Sequence, residues 1–235
     1  MPRFLLRHLL PSVCALCGGN GGDRVVCLPC RARYAAPRAG RCLRCANPLD
    51  AGTVCGACLA DPPAFDATVA AVDYAVPLDG LVLQLKFNAR LALAPWFAQL
   101  LRDAVLARGD ADAILPDLLC PVPLGDRRLV ERGFNQALEI ARPLAASLGV
   151  ALHPRLAERT TETTAQSGVS PAERARNVRG AFAVADPDLV AGRHVGLVDD
   201  VMTSGHTLAE LAATCKRFGA ARVTNFVVAR TPPHP

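Results

Sequence analysis

The chain has 235 residues, of which 51% are hydrophobic, 20% charged and 5% aromatic. That is ample for a buried core and too apolar for a disordered chain, and no uninterrupted apolar run approaches the roughly 18 residues of a membrane span. The formal charge of +5 shrinks toward zero if two metal sites each gather four thiolates, since a Zn²⁺ with four thiolates carries about −2. A soluble, cytoplasmic protein is expected, without membrane insertion, holding a small metal-stabilised region and one domain of ordinary size.

The first ten residues do not have the form of a secretory signal: the apolar stretch is broken by Arg7 and His8 and ends at Pro11. Eight of the ten cysteines then follow between positions 14 and 58 as four C-x2-C pairs: Cys14/Cys17, Cys27/Cys30, Cys42/Cys45 and Cys55/Cys58. The second quartet repeats the first at an offset of 28 residues, and nine residues separate the inner cysteines of each. Two knuckles so spaced close one tetrahedral thiolate site. With no sign of an oxidising compartment, regular pairs favour metal over disulfides. The pattern predicts two tandem zinc ribbons with structural Zn²⁺ in each; the tandem repeat favours sequential pairing of the quartets, and a cross-braced pairing is the other reading. Cys120 and Cys215 stand alone and read as core residues.

Eight arginines (Arg3, Arg7, Arg24, Arg31, Arg33, Arg38, Arg41, Arg44) lie in the first 60 residues against Asp23 and Asp50. They either offset the metal–thiolate clusters or form a phosphate-facing patch for nucleic acid. Only Phe4 and Tyr34 stand among them, so stacking on single-stranded bases has little aromatic support there. Pro62 and Pro63 mark a linker, which divides the chain into a ribbon region over 1–62 and a main domain over 63–235.

In the main domain, 65–74 is β-like. Apolar positions 78, 81, 82 and 85 have a helical period, and an Ala/Leu-rich helix follows over 92–106. A strand over 114–122 ends in Pro121-Val122-Pro123, and a helix over 137–148 ends at Gly149. Between them lies the basic stretch Arg127-Arg128 with Arg132-Gly133-Phe134-Asn135-Gln136. Its arginines suit bidentate contacts to a pyrophosphate, Gly133 permitting a tight turn; a solvated helix start paired with Asp126 and Glu131 is the other reading. Lys86 is one of only two lysines, with Lys216, and either serves an anion or snorkels from its helix. Residues 152–182 are polar and threonine-rich, the signature of a mobile loop or hairpin. Strands alternating with helices predict a mostly parallel α/β sheet with helices on both faces.

The run Val195 to Thr207 carries the densest chemistry. A short apolar strand, Val195 to Val198, leads to Asp199 and Asp200, then to Val201, Met202, Thr203, Ser204, Gly205, His206 and Thr207, and on into a helix over 207–218 and a strand over 223–228. Ligands of open α/β sheets bind at the carboxyl ends of strands, and a loop opening a helix offers free N–H groups to a phosphate. Gly205 allows close backbone approach, and three hydroxyls can donate to phosphate oxygens. The carboxylates suit the vicinal hydroxyls of a ribose or a bound Mg²⁺. The loop is thus expected to take a ribose 5-phosphate. An ordinary strand–turn–helix explains neither the acid pair nor the hydroxyl density. His206 is expected to face solvent without a catalytic part.

This run resembles the phosphoribosyl-pyrophosphate (PRPP) loop of type I phosphoribosyltransferases. In order along the chain come the paired cysteines, Tyr74 to Leu78, Leu85-Lys86-Phe87, Pro121 to Leu124, Arg132 to Gln136, Gln166, Arg176-Asn177 with Phe182, and the acid-pair loop. That set resembles the ComF family (ComFC and GntX-type) of phosphoribosyltransferase-like proteins over almost the whole chain. Most of the family carries Thr where this chain has Ser204, which keeps the hydroxyl. The resemblance implies a type I phosphoribosyltransferase-like fold after a double zinc ribbon. It also implies PRPP binding with Mg²⁺ and a part in natural competence or use of external DNA. Single-stranded DNA and DNA-uptake proteins are the implied further partners. By position, Asp199 and Asp200 would hold the ribose hydroxyls and Thr203 to Thr207 the 5-phosphate. Lys86, Arg128 and Arg132 would lie on the pyrophosphate side, and 160–179 would form a flap. Two other outcomes compete: an active nucleobase phosphoribosyltransferase of salvage, and a zinc-ribbon DNA-binding adaptor with a degenerate transferase domain.

Overall fold

In the computed structural model, residues 12–36, 40–109, 115–160 and 180–232 are described. Five strands form the main sheet: β3 (Ala67–Asp73), β4 (Leu118–Pro121), β5 (Ala151–Leu152), β8 (His194–Met202) and β9 (Arg222–Arg230). Their order across it is β3-β9-β8-β4-β5, and all four neighbouring pairs run parallel. Two short antiparallel pairs stand apart: β1 (Ser12–Val13) with β2 (Asn20–Gly22), and β6 (Ala157–Arg159) with β7 (Phe182–Val184).

Side chains of a strand alternate between faces, and here both faces are covered. Val69, Leu119, Val198 and Phe226 point to one side. They meet α3 (Leu78–Asn88), α4 (Leu93–Leu106) and α6 (Gln136–Leu148). Ala70, Leu118, Leu197 and Val227 point to the other side, against α7 (His206–Arg217) and the β6–β7 pair. The predicted period of α3 holds: Leu78, Leu81, Val82 and Leu85 are all buried. Gly149 at φ 68° ends α6 as expected, and Cys120 and Cys215 are core residues.

Three expectations are refined. The β-like stretch 65–74 holds the shorter β3, Ala67–Asp73, which is buried on both faces, as a covered parallel sheet requires. β4 begins at Leu118, later than expected. β8 runs four residues past Val198, so the acid pair lies inside the strand rather than after it, with Asp199 and Val201 in register with Val227 and Ala229 of β9. The threonine-rich stretch is a hairpin at its base, where Arg159 faces Phe182; most of the expected flap, 161–179, lies outside the described residues.

The ribbons belong to this core. Cys14, Val26, Cys30 and Ala35 pack in the cluster that holds Leu100 and Leu101, and Cys42, Cys45 and Cys58 pack in the cluster on the other face. α1 (Leu28–Tyr34) follows Cys27, and α2 (Gly56–Ala60) follows Cys55. Arg31 pairs with Asp103 of α4. On the open edge of β3, the Thr68 N–H donates to Leu43 O at 3.0 Å, and Arg41 Nη2 meets Asp73 Oδ1 at 2.8 Å. The second ribbon thereby caps an edge that would otherwise invite pairing with another chain.

Gly196, in the middle of β8, shows how tightly the strands and the layers around them meet. A Cβ there would lie 2.6 Å from Leu119 Cδ2 and 2.8 Å from Phe226 Cε2. Gly196→Ala should therefore cost about 1–3 kcal/mol through overpacking. Urea unfolding of the zinc-loaded protein checks this, and an unchanged midpoint would contradict it.

Candidate functional site

The two cysteine quartets close as predicted. Within each set, Cys14/Cys17/Cys27/Cys30 and Cys42/Cys45/Cys55/Cys58, all four sulfurs lie within 4.8 Å of one another. Representative spacings are 3.9 Å for Cys17–Cys27 and 3.6 Å for Cys45–Cys55. Tetrahedral zinc with bonds of about 2.3 Å asks for sulfurs roughly 3.8 Å apart. The pairing is sequential, not cross-braced. The same N–H···S bonds recur at the 28-residue offset, Cys27 N to Cys14 Sγ and Cys55 N to Cys42 Sγ, each 3.3 Å. Burial alone would push the Cys14 thiol up, but N–H donors from Cys27, Cys17 and Leu16 bring it down to about 6. Burial and the neighbouring sulfurs drive Cys30 up to about 12. Four such sulfurs can ionise together only around a cation, so the two four-cysteine sites fit two structural zinc ions.

At the other end of the chain, β8 delivers Asp199 and Asp200 to the carboxyl edge of the sheet. The carboxylates are not equivalent. Asp200 is buried, and its Oδ2 pairs with Lys86 Nζ of α3 at 2.8 Å. Its Oδ1 accepts from Val201 N at 2.9 Å. Asp199 is half-buried and its Oδ1 accepts from Asp200 N at 2.8 Å. Burial first, and then the charge of Asp200, hold the Asp199 carboxyl well above the usual carboxylate range, with Lys86 acting against them.

The strand gives way at Thr203 and Ser204, both exposed, and Gly205 turns the chain at φ 82°. A Cβ on Gly205 would sit 2.5 Å from Met202 Cε, so both conformation and space require glycine here. α7 then begins at His206 with no side chain capping its N-terminus. Its first N–H groups are left to a ligand or to water. His206 Nδ1 lies 3.0 Å from Ser204 Oγ, and Thr207 is half-buried on the first turn. Val201 packs toward one core cluster and Met202 toward the other.

The basic stretch divides into two kinds of residue. Gly133, at φ 78°, ends α5 (Asp126–Arg132), a helix without a buried side chain that leaves Val130 83% exposed. Asn135 caps α6, accepting from Ala137 N at 2.9 Å and donating to Val122 O at 3.0 Å. These two residues are architectural, as a helix stop and start require. Arg128, Arg132, Phe134 and Gln136 instead line a cleft of about 470 Å³ together with Lys86 and Phe87. Arg132 donates to Gln136 Oε1, and its guanidinium lies 5.6 Å over the Phe87 ring, which is 70% exposed. Lys86 thus belongs both to this cleft and to the ion pair with Asp200, and Asp199 and Asp200 both act on the Arg132 charge. The structure therefore brings Lys86, Arg128 and Arg132 together beside the acid pair. Phe134 and Gln136 carry no role in the sequence reading; their signal is their place after two arginines and a helix-stop glycine.

The class so defined is a parallel α/β domain, with an acid pair and an uncapped, hydroxyl-rich turn at its carboxyl edge, joined to a double ribbon of two four-cysteine sites. The model of the double zinc ribbon domain matches residues 5–59. Proteins named DNA utilization protein YhgH are similar along nearly the full length. The one from Salmonella typhi is 38% identical over 229 residues, 94% of this chain and 98% of that protein; the one from Escherichia coli K12 is 37% identical over the same span. Competence protein F of Haemophilus influenzae is 33% identical over 75% of this chain and 78% of that protein. The chain belongs to the ComF family. Among solved structures, it is similar to the glutamine phosphoribosylpyrophosphate amidotransferase of B. subtilis (TM-score 0.37, 20% identity, 59% of this chain and 26% of that one). It is also similar to a purine phosphoribosyltransferase of Pyrococcus horikoshii (TM-score 0.32, 18% identity, 60% and 75%). At such scores the likeness adds nothing to what the sheet itself shows. No helix among the described residues is long and apolar enough to cross a membrane.

The Asp199 carboxyl has a consequence for stability. With its folded pKa raised, the folded state holds the proton longer than the unfolded state. Stability is therefore lost as pH rises from the ordinary carboxylate range through the folded value. Asp199→Asn removes that loss, so it should raise the melting temperature by a few degrees, roughly 2–4 °C, near pH 8. The gain should shrink as pH falls toward 5, and thermal melts across that range read it. A variant less stable at every pH would contradict the charge assignment.

Proposed function

We propose that this protein binds PRPP with Mg²⁺ at the carboxyl edge of β8 and acts as a phosphoribosyltransferase-like component in the use of external DNA, on the cytoplasmic side. The double ribbon would span 1–62 and the phosphoribosyltransferase-like domain 63–235. One observation carries the reading: an uncapped helix N-terminus with Thr203, Ser204 and Thr207 directly follows an acid pair whose Lys86 partner opens into a cationic cleft. A 5-phosphate would take the free N–H groups and hydroxyls of Thr203 to Thr207. Asp199, the less engaged carboxylate, would face the ribose hydroxyls or the Mg²⁺, with Asp200 fixed beside it by Lys86. The pyrophosphate would extend toward Arg128 and Arg132, where guanidinium forks suit phosphate oxygens.

The names of the relatives support the DNA-related part. Handling of single-stranded DNA is proposed for the ribbon arginines, and it would weaken steeply with salt. Transfer chemistry is the second reading, favoured by the cleft beside the acid pair. In that case pyrophosphate leaves the anomeric carbon as a nitrogen nucleophile attacks it. Arg128, Arg132 and Mg²⁺ would stabilise the departing charge, with no protein nucleophile required.

Calorimetric titration of the zinc-loaded protein with Mg²⁺ and PRPP tests the binding reading. Affinity should fall about tenfold or more in Asp199→Asn, the loss of one charged contact to the ligand; equal affinity in the folded variant would count heavily against it. Pyrophosphate release on adding one nucleobase would make the protein an enzyme and name its acceptor. Binding without release from any base would leave a ligand-controlled DNA-handling role.

A further inference from the structure

β9 ends on a buried arginine. Arg230 is 6% exposed, and its guanidinium is spent on backbone carbonyls from two distant parts of the chain. Nε donates to Cys45 O at 2.9 Å. Nη1 donates to Met202 O at 3.0 Å, to Thr203 O, and to Thr231 O at 2.6 Å. Cys45 closes the first knuckle of the second zinc site, and Met202 and Thr203 lead into the phosphate loop. One rigid, planar group therefore spans both, and a guanidinium fork fixes angles as well as distances.

Burying a cation costs free energy unless a compensating charge is near. All four of these hydrogen bonds end on carbonyl oxygens, whose dipoles offset part of the charge, and a zinc-loaded second site would supply the compensating negative charge. Four thiolates around a Zn²⁺ carry about −2, and the Cys45 sulfur acts directly on the Arg230 charge. Arg41 repeats the pattern one step away, donating to Ala46 O at 3.0 Å while pairing with Asp73. The knuckle is thus clasped to the ends of β3 and β9. The first ribbon is anchored elsewhere, through Arg31 and Asp103 on α4.

We propose that Arg230 is a positioning residue that couples the second zinc site to the phosphate loop. Metal loss from Cys42/Cys45/Cys55/Cys58 unlatches 202–207, and metal loss from Cys14/Cys17/Cys27/Cys30 does not. The two ribbons then have different work despite their repeat: the second holds the ligand loop in shape, so conditions that strip or oxidise its thiolates switch the loop off. The coupling stands on the hydrogen bonds alone. Its effect on ligand affinity rests on the phosphoribosyl reading given above.

The test uses the full chain and three variants: Cys17→Ser in the first site, Cys55→Ser in the second, and Arg230→Lys, which keeps the charge but loses the fork. Two readouts are taken: zinc per chain by mass spectrometry, and hydrogen–deuterium exchange of the peptide spanning 202–207. Arg230→Lys should keep both zinc ions yet exchange about tenfold faster in that peptide, as the loss of charge-assisted bonds implies. Cys55→Ser should lose one zinc and show the same acceleration, whereas Cys17→Ser should lose one zinc and leave the loop unchanged. The Arg230→Lys/Cys55→Ser double variant should exchange no faster than Cys55→Ser, because both break one linkage. Equal effects of Cys17→Ser and Cys55→Ser, or an unchanged loop in Cys55→Ser, would overturn the proposal. Should Arg230→Lys fail to fold, the two cysteine variants still decide it. Titration with Mg²⁺ and PRPP is a separate arm: absent binding by the unaltered protein would sink the ligand reading, while the exchange comparison still judges the coupling.

Discussion

A parallel sheet covered on both faces can meet a polar ligand only at the ends of its strands, and that constraint organises the molecule. Helices α3, α4 and α6 close one face; α7 and the β6–β7 pair close the other. What remains is the carboxyl edge, where β8 and β9 stop side by side at Met202 and Arg230. The charges that matter converge there. Asp199 and Asp200 come from β8, Lys86 reaches across from α3, and Arg230 turns back toward the ribbon. Each is costly to bury, and each is held by a neighbour of opposite charge or by backbone dipoles.

The N-terminal cysteines have a part in the same scheme. Small metal-centred ribbons are often pictured as appendages, but here Cys14 and Cys30 share a core with Leu100 and Leu101, while the second ribbon seals the exposed edge of β3. Metal binding should accordingly be linked to the folding of the whole chain, since a site that forms only in the folded state adds its binding free energy to stability.

Local signals carried much of this into the sequence. Cysteine spacing announces two four-thiolate sites, because two knuckles nine residues apart can reach one tetrahedron; that the pairing is sequential is settled by the fold. The run from Asp199 to Thr207 announces a strand end, a turn and a helix start through residue types that each need that place. Helix α3 follows from four apolar positions. Less legible were features set by partners distant in sequence. Nothing local to Val198 says that β8 continues to Met202; pairing with β9 decides it. The arginine-rich segment after Pro123 hides a seven-residue helix with no apolar face, so periodicity has nothing to detect. The inward turn of Arg230 is equally invisible, apart from one oddity: a charge closing an otherwise apolar strand run, Phe226 to Ala229.

The turn from Thr203 to Thr207, read as a phosphate seat built against an acid pair, is where the whole account can fail. Crystals of the zinc-loaded protein grown with Mg²⁺ and PRPP test it most directly. The account predicts a 5-phosphate within hydrogen-bond distance of the Gly205 to Thr207 amides and the ribose beside Asp199. Phosphate density bound only elsewhere, or an empty turn at saturating ligand, would contradict it.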